Sequence, residues 1–176
     1  MVLRKAVKGE EEKVLSFYYE LIDLMKEREY KPSWTNGVYP AMEDIGPAIA
    51  NSELYLAMEG ERIIGAFILN RRQGDGYDKV SWSVPAEPDK VSVVHLLAVY
   101  PGIHRSGTGT MLLQKIVELC RDRGDEVIRL DTRTGNVPAI KLYEKFGFTF
   151  CGNYEMTYPT TGTVGFCIFE LKIQNQ

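Results

Sequence analysis

The nine residues Val91-Ser92-Val93-Val94-His95-Leu96-Leu97-Ala98-Val99 constrain the fold more than any other stretch of this chain. A nearly continuous apolar run reads as a central strand covered on both faces, because a strand with one wet face alternates instead. Next comes His104-Arg105-Ser106-Gly107-Thr108-Gly109-Thr110, and Met111 to Arg123 then carries a helical pattern that stops at Gly124, a common helix-ending residue. A strand that turns through two glycines into a helix presents a row of backbone N–H groups with no partner inside the helix. Those donors, with the positive end of the helix dipole, suit a phosphate or pyrophosphate. Glycine lets the backbone approach the anion, because a Cβ there would block it.

The bland alternative is a glycine-rich helix start that binds nothing. No Gly-Lys-Ser/Thr closes the loop, which excludes the Walker pattern. The dinucleotide fingerprint fails too, since its third glycine is missing. What remains is a diphosphate cradle of a third kind.

At 176 residues the chain is long enough for one domain with a sizeable core and short for two. It is 44% hydrophobic and 26% charged, with a formal net charge of -3. That slight acidity argues against nucleic acid as a partner, because phosphate backbones demand a basic face. No apolar stretch reaches membrane-spanning length, and no signal-peptide core follows Met1 to Lys5. Cys120, Cys151 and Cys167 are odd in number and lack metal or redox spacing, which reads as reduced thiols in a cytoplasmic protein. Only two histidines, His95 and His104, are present, so no metal is expected.

The remaining elements follow from periodicity. Val2 to Ala6 is a short strand, and Gly9 to Glu29 an amphipathic helix with Val14, Phe17, Leu21, Leu24 and Met25 on one face. A second helix is expected to start after Pro40, a proline favoured at helix starts, and to run towards Asn51, broken or shortened by Pro47. Leu54 to Glu59 and Arg62 to Asn70 form a hairpin through Gly60-Glu61, and Val80 to Val84 reads as a short edge strand. Val127 to Thr132 is a strand and Asn136 to Phe146 a short helix; Phe148 to Tyr158 and Val164 to Ile173 are late strands. The order implies an α/β (α+β mixed) domain: one mixed sheet with helices on its faces, without repeats.

Three segments in order now become readable together. They are Leu96-Leu97-Ala98-Val99-Tyr100-Pro101, the glycine loop, and Asn136-Val137-Pro138-Ala139-Ile140-Lys141-Leu142-Tyr143-Glu144-Lys145-Phe146-Gly147-Phe148. This combination resembles the GNAT superfamily of N-acetyltransferases over Val91 to Phe148, and the strand order extends the likeness to residues 1–176 as one domain. The family loop begins with Gln or Arg; here Gly107 and Gly109 match, while His104 stands in the leading position and Arg105 and Ser106 fill the variable ones.

The resemblance implies a mostly antiparallel, twisted GNAT-like acyl-CoA N-acyltransferase sheet, and transfer of an acetyl group from acetyl-CoA to a primary amine. It further implies a bulge in the central strand that leaves backbone groups of Leu97 and Val99, with Ala98 between them, for the thioester carbonyl and pantetheine arm. An N–H aimed at that carbonyl stabilises the charge that develops on it during amine attack. His104, Arg105, Ser106, Gly107, Thr108, Gly109 and Thr110 would hold the pyrophosphate. Tyr143 would protonate the departing thiolate, with an aromatic packed on the sheet as the alternative. Asn136 would bond the pantetheine arm or simply cap its helix, and Ala139 would leave room for the carrier.

The acceptor amine must lose a proton before attack, and His95 is the first candidate base. A satisfied core histidine explains it equally well. Glu43, Asp44 and Glu155 are alternatives, each more often a solvated charge. Trp34, Tyr39, Pro40, Tyr154 and Tyr158, with Glu43, are candidates for the acceptor pocket, although Trp34 and Tyr39 singly read as loop anchors. A small-molecule amine is the expected partner. A peptide or protein amine, or a sensor without turnover, stands as the alternative, and a homodimer stays open.

Overall fold

The computed structural model describes residues 1–74, 76–101, 107–158 and 162–174, and the backbone alone of Tyr158. In chain order the elements are β1 (Val2–Lys5), α1 (Glu11–Met25), α2 (Met42–Ala50), β2 (Leu54–Glu59), β3 (Arg62–Asn70), β4 (Val91–Val99), α3 (Thr108–Asp122), β5 (Val127–Arg133), α4 (Val137–Phe146), β6 (Thr149–Tyr158) and β7 (Gly162–Lys172). The strands hydrogen-bond in the order β1-β2-β3-β4-β5-β7-β6. The β1/β2, β2/β3, β5/β7 and β6/β7 pairs run antiparallel, and β4/β5 run parallel. A parallel pair needs a crossover, which α3 supplies between β4 and β5. The expected mixed, mostly antiparallel sheet with helices is therefore what the chain forms.

Two compact units emerge, Met1–Leu69 with His95–Leu112, and Asn70–Val94 with Leu113–Gln176. The first is built on the aliphatic strands β2 and β3, whose residues Leu54 to Met58 and Ile63 to Asn70 are all buried. Helix α1 lays Val14, Leu15, Phe17, Tyr18 and Leu21 onto this core. It stops at Met25 rather than Glu29, because Lys26-Glu27-Arg28-Glu29 offers nothing apolar to bury. Helix α2 starts after Ala41, one residue past Pro40. Pro47 lies inside this nine-residue helix. Gly65 of β3 is required by close approach: a Cβ there would stand 2.8 Å from Leu112 Cδ1 and 3.1 Å from the Ala98 carbonyl.

The second unit corrects one expected element. Val80 to Val84 is not a strand but irregular backbone after a single 3₁₀ turn, Tyr77–Lys79. Three of its N–H groups are taken by side chains instead of a ladder: Ser81 N–H donates to Tyr154 Oη (3.4 Å), and Ser83 and Val84 N–H donate to Glu170 Oε1 (2.7 and 3.1 Å). The apolar alternation that suggested a strand instead anchors a loop, with Val80 buried and Trp82 lying 3.8 Å beneath the Arg129 guanidinium carbon.

Candidate active site

The first unit holds the candidates of β4 and of the start of α3. In β4, Leu96 and Ala98 are buried in the core under α1 and α2, whereas His95, Leu97 and Val99 are half-buried. The ladder between β4 and β5 runs from Val91↔Val127 to Val94↔Leu130 and no further. Two residues beyond, Leu96 adopts a φ of +50°, the left-handed region that a branched side chain rarely visits. Such a kink turns one peptide out of the ladder. The freed Leu96 carbonyl accepts a 2.8 Å hydrogen bond from the hydroxyl of Tyr18, a fully buried residue of α1.

Gly107 precedes α3 with a φ of +77°, and its carbonyl accepts from Met111 N–H at 3.0 Å. Among the described residues, nothing lies within 4 Å of where a Cβ at 107 would stand. Thr108, Gly109 and Thr110 therefore form the first turn, where N–H groups lack intrahelical acceptors. These residues fit a diphosphate: an open approach, aligned donors and a helix dipole. His104, Arg105 and Ser106 lie outside the described residues.

The second unit holds the candidates of α4. Tyr143 of α4 is buried against Phe148 and Phe169, with ring centroids 5.8 and 5.6 Å away. Burial, reinforced by the nearby Asp131 carboxylate, pushes its phenol well above the ordinary tyrosine range. The hydroxyl thus keeps its proton at neutral pH, as an acid must. Asn136 occupies the N-cap position of α4, yet its side chain does not cap; Nδ2 donates to Thr132 Oγ1 at 2.9 Å. The pure-cap reading is corrected, because the amide ties the helix start back to β5. Ala139 is half-buried on the same helix.

Asp131 of β5 was absent from the sequence-level candidates. Its carboxylate accepts from Tyr77 Oη at 2.7 Å, and burial raises its pKa while that hydrogen bond opposes the rise. A carboxylate inside Val-Ile-Arg-Leu-Asp-Thr was the available signal, since Asp is costly in a strand of this kind.

Of the acceptor-side candidates, Trp34 packs on the core and meets Tyr18 edge-on at 5.6 Å, the anchoring role. Tyr39 pairs with Thr35 across a tight loop and remains 38% exposed. Glu43 and Glu155 are exposed. Asp44 accepts from Ala41 N–H at 2.8 Å, so it serves as the cap of α2. Tyr154 Oη accepts from Ser81 N–H and donates to the Cys151 carbonyl, both at 3.4 Å. Tyr158 ends β6 opposite Gly162. Among the described residues no group of three or more His, Cys, Asp or Glu is placed to hold a metal ion, and no helix is long and apolar enough to cross a membrane.

Residues 18–148 match the model of the acetyltransferase (GNAT) family. Streptothricin acetyltransferase of Streptomyces lavendulae is 33% identical over 69 residues, 39% of this chain and 36% of that protein. The ribosomal protein bS18-alanine N-acetyltransferase of Escherichia coli K12 is 37% identical over 65 residues, 37% of this chain and 44% of that protein. The aligned stretch thus spans less than half the length of either curated relative. A crystal structure of a putative acetyltransferase from Staphylococcus aureus Mu50 superposes with a TM-score of 0.71 at 25% identity, covering 99% of this chain and 100% of that one. With the kinked central strand, the left-handed glycine before α3 and the buried tyrosine of α4 all in the order that family requires, the chain belongs to the acetyltransferase (GNAT) family.

Proposed function

We propose that residues 1–176 form one N-acetyltransferase domain that moves the acetyl group of acetyl-CoA to a primary amine of a small molecule, by direct attack with both substrates bound. The observation that carries this reading is Gly107, left-handed and open where a Cβ would stand, directly before the first turn of α3. Amides of 107–110, with Arg105, hold the pyrophosphate, and Leu97, Ala98 and Val99 line the pantetheine and thioester through their backbone. In the reaction the amine nitrogen bonds to the carbonyl carbon and the C–S bond breaks. The Leu97 N–H stabilises the negative charge on the carbonyl oxygen, and Tyr143 gives its proton to the leaving sulfur. Two groups compete for the amine's proton, His95 on β4 and Asp131, the latter in direct electrostatic contact with Tyr143.

A protein α-amine is the second reading, favoured by the bS18-alanine specificity in the name of the E. coli relative. Titration calorimetry with acetyl-CoA tests the cradle: wild type binds, and Gly107→Val loses binding while its circular dichroism is kept. Thiol release against a panel of small amines and alanine-ended peptides separates the two acceptor classes, and binding without thiol release on any of them would indicate a sensor. Tyr143→Phe is expected to slow thiol release by about 10²-fold at saturating substrates; an unchanged rate removes its acid role. A pH–rate profile unaltered in His95→Gln leaves Asp131 as the base. Light scattering of the purified protein reads the homodimer directly.

A further inference from the structure

We propose that Tyr18 is a positioning residue of the transfer site, clamping the Leu96–Leu97 peptide so that the Leu97 N–H is held on the side away from α1. The inference follows from the planarity of one peptide group. Leu96 C=O and Leu97 N–H belong to the same rigid plane and point in opposite directions across a trans bond; among the described residues the cis peptide is Tyr39-Pro40, not this one. The Tyr18 hydroxyl holds the carbonyl end at 2.8 Å from within the core. The N–H end of the same plane is thereby directed away from Tyr18.

Several features make this clamp more than a satisfied polar group. Leu96 pays conformational strain at φ +50°, and relaxation to an extended conformation would rotate the same peptide back towards the ladder. Only a partner fixed in space opposes that rotation. Tyr18 is so fixed: it is fully buried, edge-on to Phe17 at 5.3 Å and to Trp34 at 5.6 Å. Burial also raises its phenol well above the ordinary range, so it stays a donor at any working pH. Trp34, and the loop it anchors, thus act on the site through Tyr18.

This inference rests on the assignment of the Leu97 N–H to the thioester carbonyl made above. Tyr18→Phe keeps the ring and removes only the hydroxyl. A donor aimed at the developing charge contributes to the transition state more than to ground-state binding. The expected result is therefore a fall in kcat on the order of tenfold, with KM for acetyl-CoA and calorimetric affinity for free CoA within about twofold of wild type. Ile45→Val serves as the control, a core change in the same unit that lowers the melting temperature and leaves kcat unaltered. An unchanged kcat in Tyr18→Phe overturns the proposal. So does a parallel loss of kcat, CoA affinity and melting temperature, which would mark the hydroxyl as merely structural. If wild type binds acetyl-CoA but releases no thiol with any acceptor, the functional reading fails instead. The clamp is then read from the Leu97 amide resonance of the free protein, which Tyr18→Phe must displace more than other β4 amides; an undisplaced resonance overturns it.

Discussion

Among the described residues, the first unit buries an almost wholly apolar interior, with Thr108 its one buried polar residue apart from tyrosines. The second buries Asn70, Ser92, Asp125, Arg129, Thr132 and Glu170. Glu170 is fully buried and accepts from Ser83 N–H, Ser83 Oγ and Val84 N–H on one oxygen, while its other oxygen faces Arg129 Nε at 4.0 Å. Arg129 also donates to Gln73 Oε1 at 2.7 Å and lies over Trp82. These bonds tie the long β3–β4 connection to β5 and β7. The first unit is therefore built on an apolar interior, and the second on one that holds polar groups. Apolar packing suffices to hold a strand, whereas an irregular loop full of N–H groups needs buried acceptors.

Three experiments break or sharpen this contrast. The largest effect is expected from Glu170→Ala, which strands Arg129 and three donors; a loss of about 3–5 kcal/mol in urea unfolding is expected. A loss below about 1 kcal/mol would show that the buried charge organises nothing. Next is Ser92→Ala, which deletes a 2.6 Å hydrogen bond to the buried Asp125 but leaves its 2.7 Å ion pair with Arg71. A cost of about 1–2 kcal/mol follows for the unsatisfied carboxylate oxygen.

The smallest effect lies in the first unit. There the Arg4 guanidinium, hydrogen-bonded to Glu10 at 2.8 and 2.6 Å, holds that carboxyl down at about 2. A folded pKa below the unfolded value means stability present above the unfolded pKa and lost as pH falls through the folded one. The loss therefore spans roughly pH 5 to 2. Arg4 is 36% and Glu10 18% exposed, so solvent screening limits it to about 1 kcal/mol. Glu10→Gln should flatten that part of the stability–pH curve, and an unchanged slope would show the pair to be inert.

Much of the frame was legible in residue pattern. The apolar run 91–99, the Gly60-Glu61 hairpin and the glycine before α3 each state a local requirement, which neighbours in sequence meet. The failures came where distant groups intervened. Val80–Val84 alternates like a strand, but Glu170 and Tyr154, remote in sequence, take the N–H groups of Ser81, Ser83 and Val84. Asn136 has the identity of a cap and the bonding of a tether, because Thr132 lies within reach.

From sequence alone came the order of elements, the position of the glycine turn and the place of Tyr143 on its helix. These depend on periodicity, on backbone freedom and on motifs a few residues long. Only the tertiary structure decided which carbonyl Tyr18 would meet 78 residues away, and which carboxylate Tyr77 would hold. Such pairings hinge on where two side chains end in space, to within an ångström. Local propensity carries no information at that scale, because hydrogen bonds of this kind form only after the strands and helices bearing them have packed.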